Sequence, residues 1–335
     1  MAKSKSVSLP FFVPMFATYH YSAAACMAFA QNPNAEKQIL NQGLELACHR
    51  KFLRGYTTPN VVMPGTALNR FSNLKRYVVD LYYAREFLHS VIHVILNDGN
   101  YIYFTGFDDY YLPGKSWYGI RHMKHDGIIS GYDDKEGTYE LIAYDMDWKF
   151  RQIKIPQESL KESMERSFEQ EFCPQLTAMK PKDTEIHLDV EGICNKIKRY
   201  LDSNLEKYPP EEDGRVNGIV VHDFIAMYID KLLDESIPYE SMDWRIMRAI
   251  WEFRVGVLKR LEVIESELKL DHTASYAYQK IVTETDRLRM LYAVCSKKRK
   301  DSLLKAVRNG ILELKEQEAG LLHSFVETVE GVRKA

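Results

Sequence analysis

The chain has 335 residues, is 45% hydrophobic and 27% charged, and carries a formal net charge of −2. That length leaves room for two domains, and the composition is that of a chain that buries real cores rather than staying disordered. The near-neutral balance argues against a protein built for bulk nucleic-acid or membrane binding, and no apolar run reaches the roughly 18 residues of a membrane span.

Residues 9–16 are apolar but interrupted by Pro10 and Pro14, so they do not read as a signal peptide. A first helix is expected over 22–30, with Ser22 as its N-cap and Asn32-Pro33-Asn34 as its stop. A second is expected over 35–54, closed by Gly55. Residues 57–65 are turn-rich, and 74–96 fit helical spacing better than alternation until Asn97-Asp98-Gly99-Asn100 breaks them. The pattern then changes to strands over 101–107, 125–132, 138–144 and 148–155, with 133–137 as a hairpin loop. An antiparallel sheet packed on the N-terminal helices gives an α+β domain over 1–156.

Beyond Pro156 the β signal disappears. Helical patterns cover 159–171, 189–206, 221–235, 241–268, 273–295 and 302–329, with breaks at 173–183, 209–217, and near Pro238 and Asp271. Residues 157–335 therefore read as a helical domain with mostly short connections.

The five cysteines, at 26, 48, 173, 194 and 295, are scattered without C-x-x-C spacing. They predict reduced thiols in a cytoplasmic protein and no structural zinc. His122 and His125 lie three apart, a spacing that a strand does not put on one face, so a metal site with Asp126 or Asp147 is not expected there. No cofactor is called for.

The most informative stretch runs from His125 through Gly131-Tyr132-Asp133 and back along the partner strand to Asp145. Antiparallel pairing brings His125 and Asp145 to the same end of the sheet, and an imidazole beside a carboxylate is how a general base is oriented. Asp147 is the alternative carboxylate. The plainer reading is a strand-start histidine with an ordinary turn aspartate.

The H-x-x-x-x-x-G-Y-D string, the acidic turn and the strand ending in Asp resemble papain-like cysteine enzymes. They are most similar to bacteriocin-processing peptidases and the butirosin-type acyltransferases of natural-product clusters. The resemblance covers about residues 10–155, and it implies a papain-like fold with His125 as base and Asp145 as its orienting group. It also implies a nucleophilic cysteine near the start of the first helix, where Cys26 is the one candidate. Many relatives carry that cysteine earlier, at about Tyr19, His20 or Tyr21, and core packing is the bland alternative for Cys26. Tyr19 and His20 stand where an oxyanion donor is needed, and Tyr110, Tyr111 and Trp117 are candidates for lining an acyl pocket.

The function so implied is an amide-forming acyltransferase of peptide-like antibiotic biosynthesis. It would move an acyl, or thioamide acyl, chain from a carrier-protein phosphopantetheine thioester to a small amine or diamine through a Cys26 acyl-enzyme. A cysteine peptidase or amidase and an inactive binding homologue are the alternatives. The basic run Lys297-Lys298-Arg299-Lys300 is a solvated helix end or a dock for an acidic carrier protein.

Overall fold

The structure, a computed structural model, describes residues 6–29, 35–55, 58–167, 175–208 and 214–334. In chain order it opens with β1 (Ser6–Ser8), α1 (His20–Ala28), α2 (Ala35–Asn41), β2 (Ala47–His49) and β3 (Leu74–Asp80). Next come α3 (Leu81–Ala84), α4 (Leu88–Asn97), β4 (Tyr101–Asp108), β5 (Lys124–Asp133), β6 (Thr138–Tyr144) and β7 (Phe150–Pro156). The remainder is α5 (Gln157–Glu165), β8 (Gln175–Pro181), α6 (Val190–Leu201), β9 (Arg215–Asn217), α7 (Val221–Leu233), α8 (Arg245–Glu267), α9 (Thr273–Lys297) and α10 (Asp301–Lys334).

Two compact units result: 1–38 with 67–186, and 39–66 with 187–335. The division therefore differs from a single cut at 156, because α5 and β8 belong with the first unit and 39–66 with the second. The mixed α and β character with helices toward the C-terminus is as the sequence reads.

In the first unit an antiparallel sheet runs β3-β8-β4-β5-β6-β7, and β1 pairs with the far half of β5. Ile102, Phe104, Phe107, Ile129, Leu141 and Ile155 from one face pack with Leu88, Ile92, Leu96, Leu160 and Met164 of α4 and α5 in one buried cluster. Alternate strand residues turn to the opposite face, where the N-terminus of α1 meets β5 through His20. β3 corrects the helix expected over 74–96. Tyr77, Val78 and Val79 suit a strand, and their partner β8 lies in a stretch the sequence reads as a break, so the deciding contact is non-local. Likewise the helix expected over 35–54 stops at Asn41. Gly43 takes a left-handed φ of 57°, and β2 then pairs with β9. The stop at 32–34 and Cys173 lie outside the described residues.

The second unit is built on α6–α10 with the β2–β9 pair. Arg254 and Glu318, both fully buried, meet at 2.8 Å. Arg254 also donates to Thr285 Oγ1 at 2.7 Å, and Glu318 accepts from Tyr278 Oη. Buried His222 has Nδ1 2.9 Å from the Ile219 carbonyl and Nε2 3.2 Å from the Arg254 guanidinium, which makes Nδ1 the protonated nitrogen and Nε2 an acceptor.

Candidate functional site

The candidate residues gather where β4 ends, β5 begins and β6 ends. Asp108 and Asp109 follow one another at the end of β4, and two histidines of the returning chain meet them in turn. His122 Nδ1 lies 2.7 Å from Asp108 Oδ2, and His125 Nδ1 lies 2.6 Å from Asp109 Oδ2. Phe107 pairs with His125 across the β4–β5 ladder, which sets this register. Asp109 is 1% exposed, whereas the His125 ring is a third exposed. A buried carboxylate therefore holds one ring nitrogen while the rest of the imidazole reaches solvent.

Lys115, 5% exposed, lies on the loop between β4 and β5. Its Nζ donates to the Tyr144 carbonyl at 2.8 Å and stands 3.7 Å from Asp109 Oδ1, an oxygen without a hydrogen-bond partner. Burial pulls the Lys115 pKa below its ordinary value, against the support that Asp109, Asp126 and Asp145 give its charged form. One ammonium thus sits within the field of three carboxylates. Sequence reasoning missed both Asp109 as the partner of His125 and Lys115 as its neighbour.

Asp126 is the next residue of β5, and alternation turns it to the other side of the sheet. There it meets His20, whose Nδ1 is 2.9 Å from Asp126 Oδ1, and Tyr103 Oη, which donates to Oδ2 at 2.6 Å. Burial works to raise the Asp126 pKa. The His20 imidazole and the hydrogen bonds from His20 and Tyr103 outweigh it and hold the carboxyl down at about 2. His20 Nε2 accepts from the Tyr144 amide at 3.3 Å, so this ring is held on both sides.

Those positions revise two assignments. The carboxylate on His125 is Asp109, not Asp145. If the β5–β6 ladder continued past Ile128–Ile142, His125 would stand opposite Asp145, but the ladder ends there. Asp145 instead forms a turn: its Oδ1 accepts from the amides of Asp147 and Lys149, each at 2.9 Å, and its Oδ2 lies 3.3 Å from Arg151 Nε. Trp148 completes that turn with a φ of 59°. Asp147 therefore enters through its backbone.

Cys26 is 1% exposed and lies six residues beyond His20, the first residue of α1. Six helical residues amount to about 9 Å along the axis, and the strand residue facing the start of α1 is Asp126 rather than His125. Cys26 is thus a buried residue inside the helix rather than one at its start. Ser22 lies inside α1, whose N-cap is Tyr19 without a side-chain cap bond.

Tyr19 stacks on Tyr21 with ring centroids 5.4 Å apart. Tyr110 stacks on His122 at 4.4 Å, and Tyr111 lies edge-on to Tyr110 at 5.2 Å. The Arg121 guanidinium sits 4.9 Å above Trp117. Tyr110, Tyr111 and Trp117 thus dress His122 and its loop. The chain matches no protein-family model, and no curated protein matches it.

Proposed function

We propose that this protein is an amide-forming acyltransferase whose first unit, read as papain-like, uses His125 as a general base in place of a cysteine nucleophile. The observation that carries the reading is the 2.6 Å pair of His125 Nδ1 with the buried Asp109, which leaves Nε2 as the catalytic nitrogen. In the reaction His125 Nε2 takes a proton from a neutral amine as its nitrogen attacks the carbonyl carbon of an acyl thioester. The tetrahedral intermediate collapses with loss of thiolate, which recovers that proton from the imidazolium. Asp109 favours the imidazolium while it exists, as the orienting carboxylate does in His–Asp catalysis. The donor class is the phosphopantetheine thioester of a carrier protein, for which exposed Lys297, Lys298 and Lys300 are the proposed dock. Arg299 is already committed to Glu235 and Asp301.

The test is incubation of the protein with a simple acyl thioester and a diamine, read by product mass and intact-protein mass. The expected result is an amide that requires the amine and is lost in His125→Ala but kept in Cys26→Ser. An acyl adduct on Cys26 would restore the covalent route, and free acid formed without amine would make the protein a hydrolase.

A second reading rests on a different observation. His20 occupies the first residue of α1, about where the resembled enzymes carry their nucleophile, and is locked by Asp126 and the Tyr144 amide. A site plugged in this way suits a binding homologue, which would bind acyl thioester without turning it over.

A further inference from the structure

We infer that His89, His93 and Asp134 form a binding site for a divalent first-row transition-metal ion, zinc by the nature of the donors. The site lies away from His125, on α4 and on the turn between β5 and β6. His89 and His93 are four residues apart on one helix, so their rings share a face, and the ring centroids are 3.8 Å apart. The hairpin turn brings Asp134 opposite them. Its Oδ1 is 3.9 Å from His89 Nε2 and 3.6 Å from His93 Nε2, and the donor atoms of the trio all lie within 4.8 Å of one another.

The two carboxylate–imidazole separations, 3.9 and 3.6 Å, are too long for hydrogen bonds and stand only a few tenths of an ångström beyond the roughly 3.3 Å between two donors on a tetrahedral zinc with bonds near 2.0–2.1 Å. His93 Nε2 is buried and has no hydrogen-bond partner, so one donor is aimed into the site with nothing to satisfy it. A cation there satisfies both nitrogens and the carboxylate together.

The surroundings fix the donors in place. Tyr139 Oη lies 2.6 Å from His89 Nδ1, which holds that ring with Nε2 turned to the site, the arrangement that second partners of metal-bound histidines adopt. His93 is stacked on Tyr132 with ring centroids 3.6 Å apart and planes within 17°. Asp133 Oδ1 accepts from the amides of Lys135 and Glu136 and so shapes the turn that carries Asp134. The His89 side chain is 52% exposed and that of Asp134 35%, which gives an ion a route in. Three protein donors leave a fourth position for water or an outside ligand. His89 and Tyr139 also line a cavity of about 300 Å³, in which Arg85 and Lys161 stand with Glu86 and Glu158.

The experiment is a Zn2+ titration of the full chain after chelator treatment, with Co2+ absorption as the spectroscopic check. Wild type should take up one equivalent. Asp134→Asn, on an exposed turn that tolerates the change, and His93→Gln should lose it, and Tyr139→Phe should weaken it by roughly 10–100-fold as a second partner does. Far-UV circular dichroism shows that each variant is folded, and zinc should raise the wild-type melting temperature but not that of Asp134→Asn. No uptake by wild type, or uptake with an affinity indifferent to both Asp134→Asn and His93→Gln, overturns the inference.

Discussion

Asp109 is a carboxylate at 1% exposure with one oxygen on His125 and the other 3.7 Å from Lys115. Burying that charge is tolerable only because an imidazole and an ammonium share it. Asp109→Asn keeps the shape but removes the charge that favours imidazolium and selects the tautomer with Nε2 free. For the proposed amide formation the expected outcome is a fall of about 10²–10⁴ in kcat with KM for the thioester little changed, measured by steady-state rates with saturating amine. A KM effect with kcat intact would make Asp109 part of substrate binding instead. The residues also show what was legible. His125 stands out because it opens a strand whose partner is readable, whereas Asp109 does not, because it lies just past the end of β4 in a 3-10 turn that no periodicity marks. Of the metal trio only the His89–His93 spacing is visible in sequence, and the third donor waits on a hairpin folding back over the helix.

At the scale of elements the sheet was legible where partners are neighbours in sequence. The β5–β6–β7 meander follows from alternation and turns, and its expected boundaries fall within two residues of those found. β3 and β8 were not, because each gains its partner only when distant segments meet. β3 forms one edge of the sheet, and Lys75 and Arg76 charge it against further pairing. β5 is the element on which most converges: it takes β4 along one half and β1 along the other, with Ser8 opposite Gly131. A Cβ on Gly131 would fall 2.5 Å from the Val7 carbonyl oxygen and 2.3 Å from Glu140 Oε2, which itself accepts from Ser8 Oγ and Gln152 Nε2. The carboxylate can swing away but the backbone oxygen cannot without moving β1. Gly131→Ala should therefore cost roughly 1–3 kcal/mol in chemical denaturation and speed amide exchange along 6–8 before the rest of the sheet. Unchanged exchange in those residues would mean that β1 adds little to the sheet.

For the whole molecule the two units carry different acid sensitivities, and the helical one should yield first. His222 is pushed down from 6.5 to about 4, chiefly by burial and then by the Arg254 guanidinium, against support from Glu318 and the Ile219 carbonyl. With the folded value below the unfolded one, an unfolded chain takes the proton first, so the stability present above pH 6.5 falls progressively as the pH drops toward 4. The full loss is about 3 kcal/mol at the usual 1.36 kcal/mol per pH unit. Glu318 is held below its ordinary value: burial alone would raise it, and Arg254, His222 and the Tyr278 hydroxyl reverse that, so it adds to the loss on the acid side. In the first unit Asp126, at about 2 against an ordinary 3.8, contributes stability that is complete above 3.8 and lost only as the pH falls through about 2. Denaturant melts followed by amide exchange at pH 7, 5 and 4 should then show α7, α8 and α10 losing protection while the strands β4–β6 keep theirs. His222→Gln should flatten the slope between pH 6.5 and 4. A slope that survives this substitution would assign the acid sensitivity to carboxylates rather than to the buried imidazole.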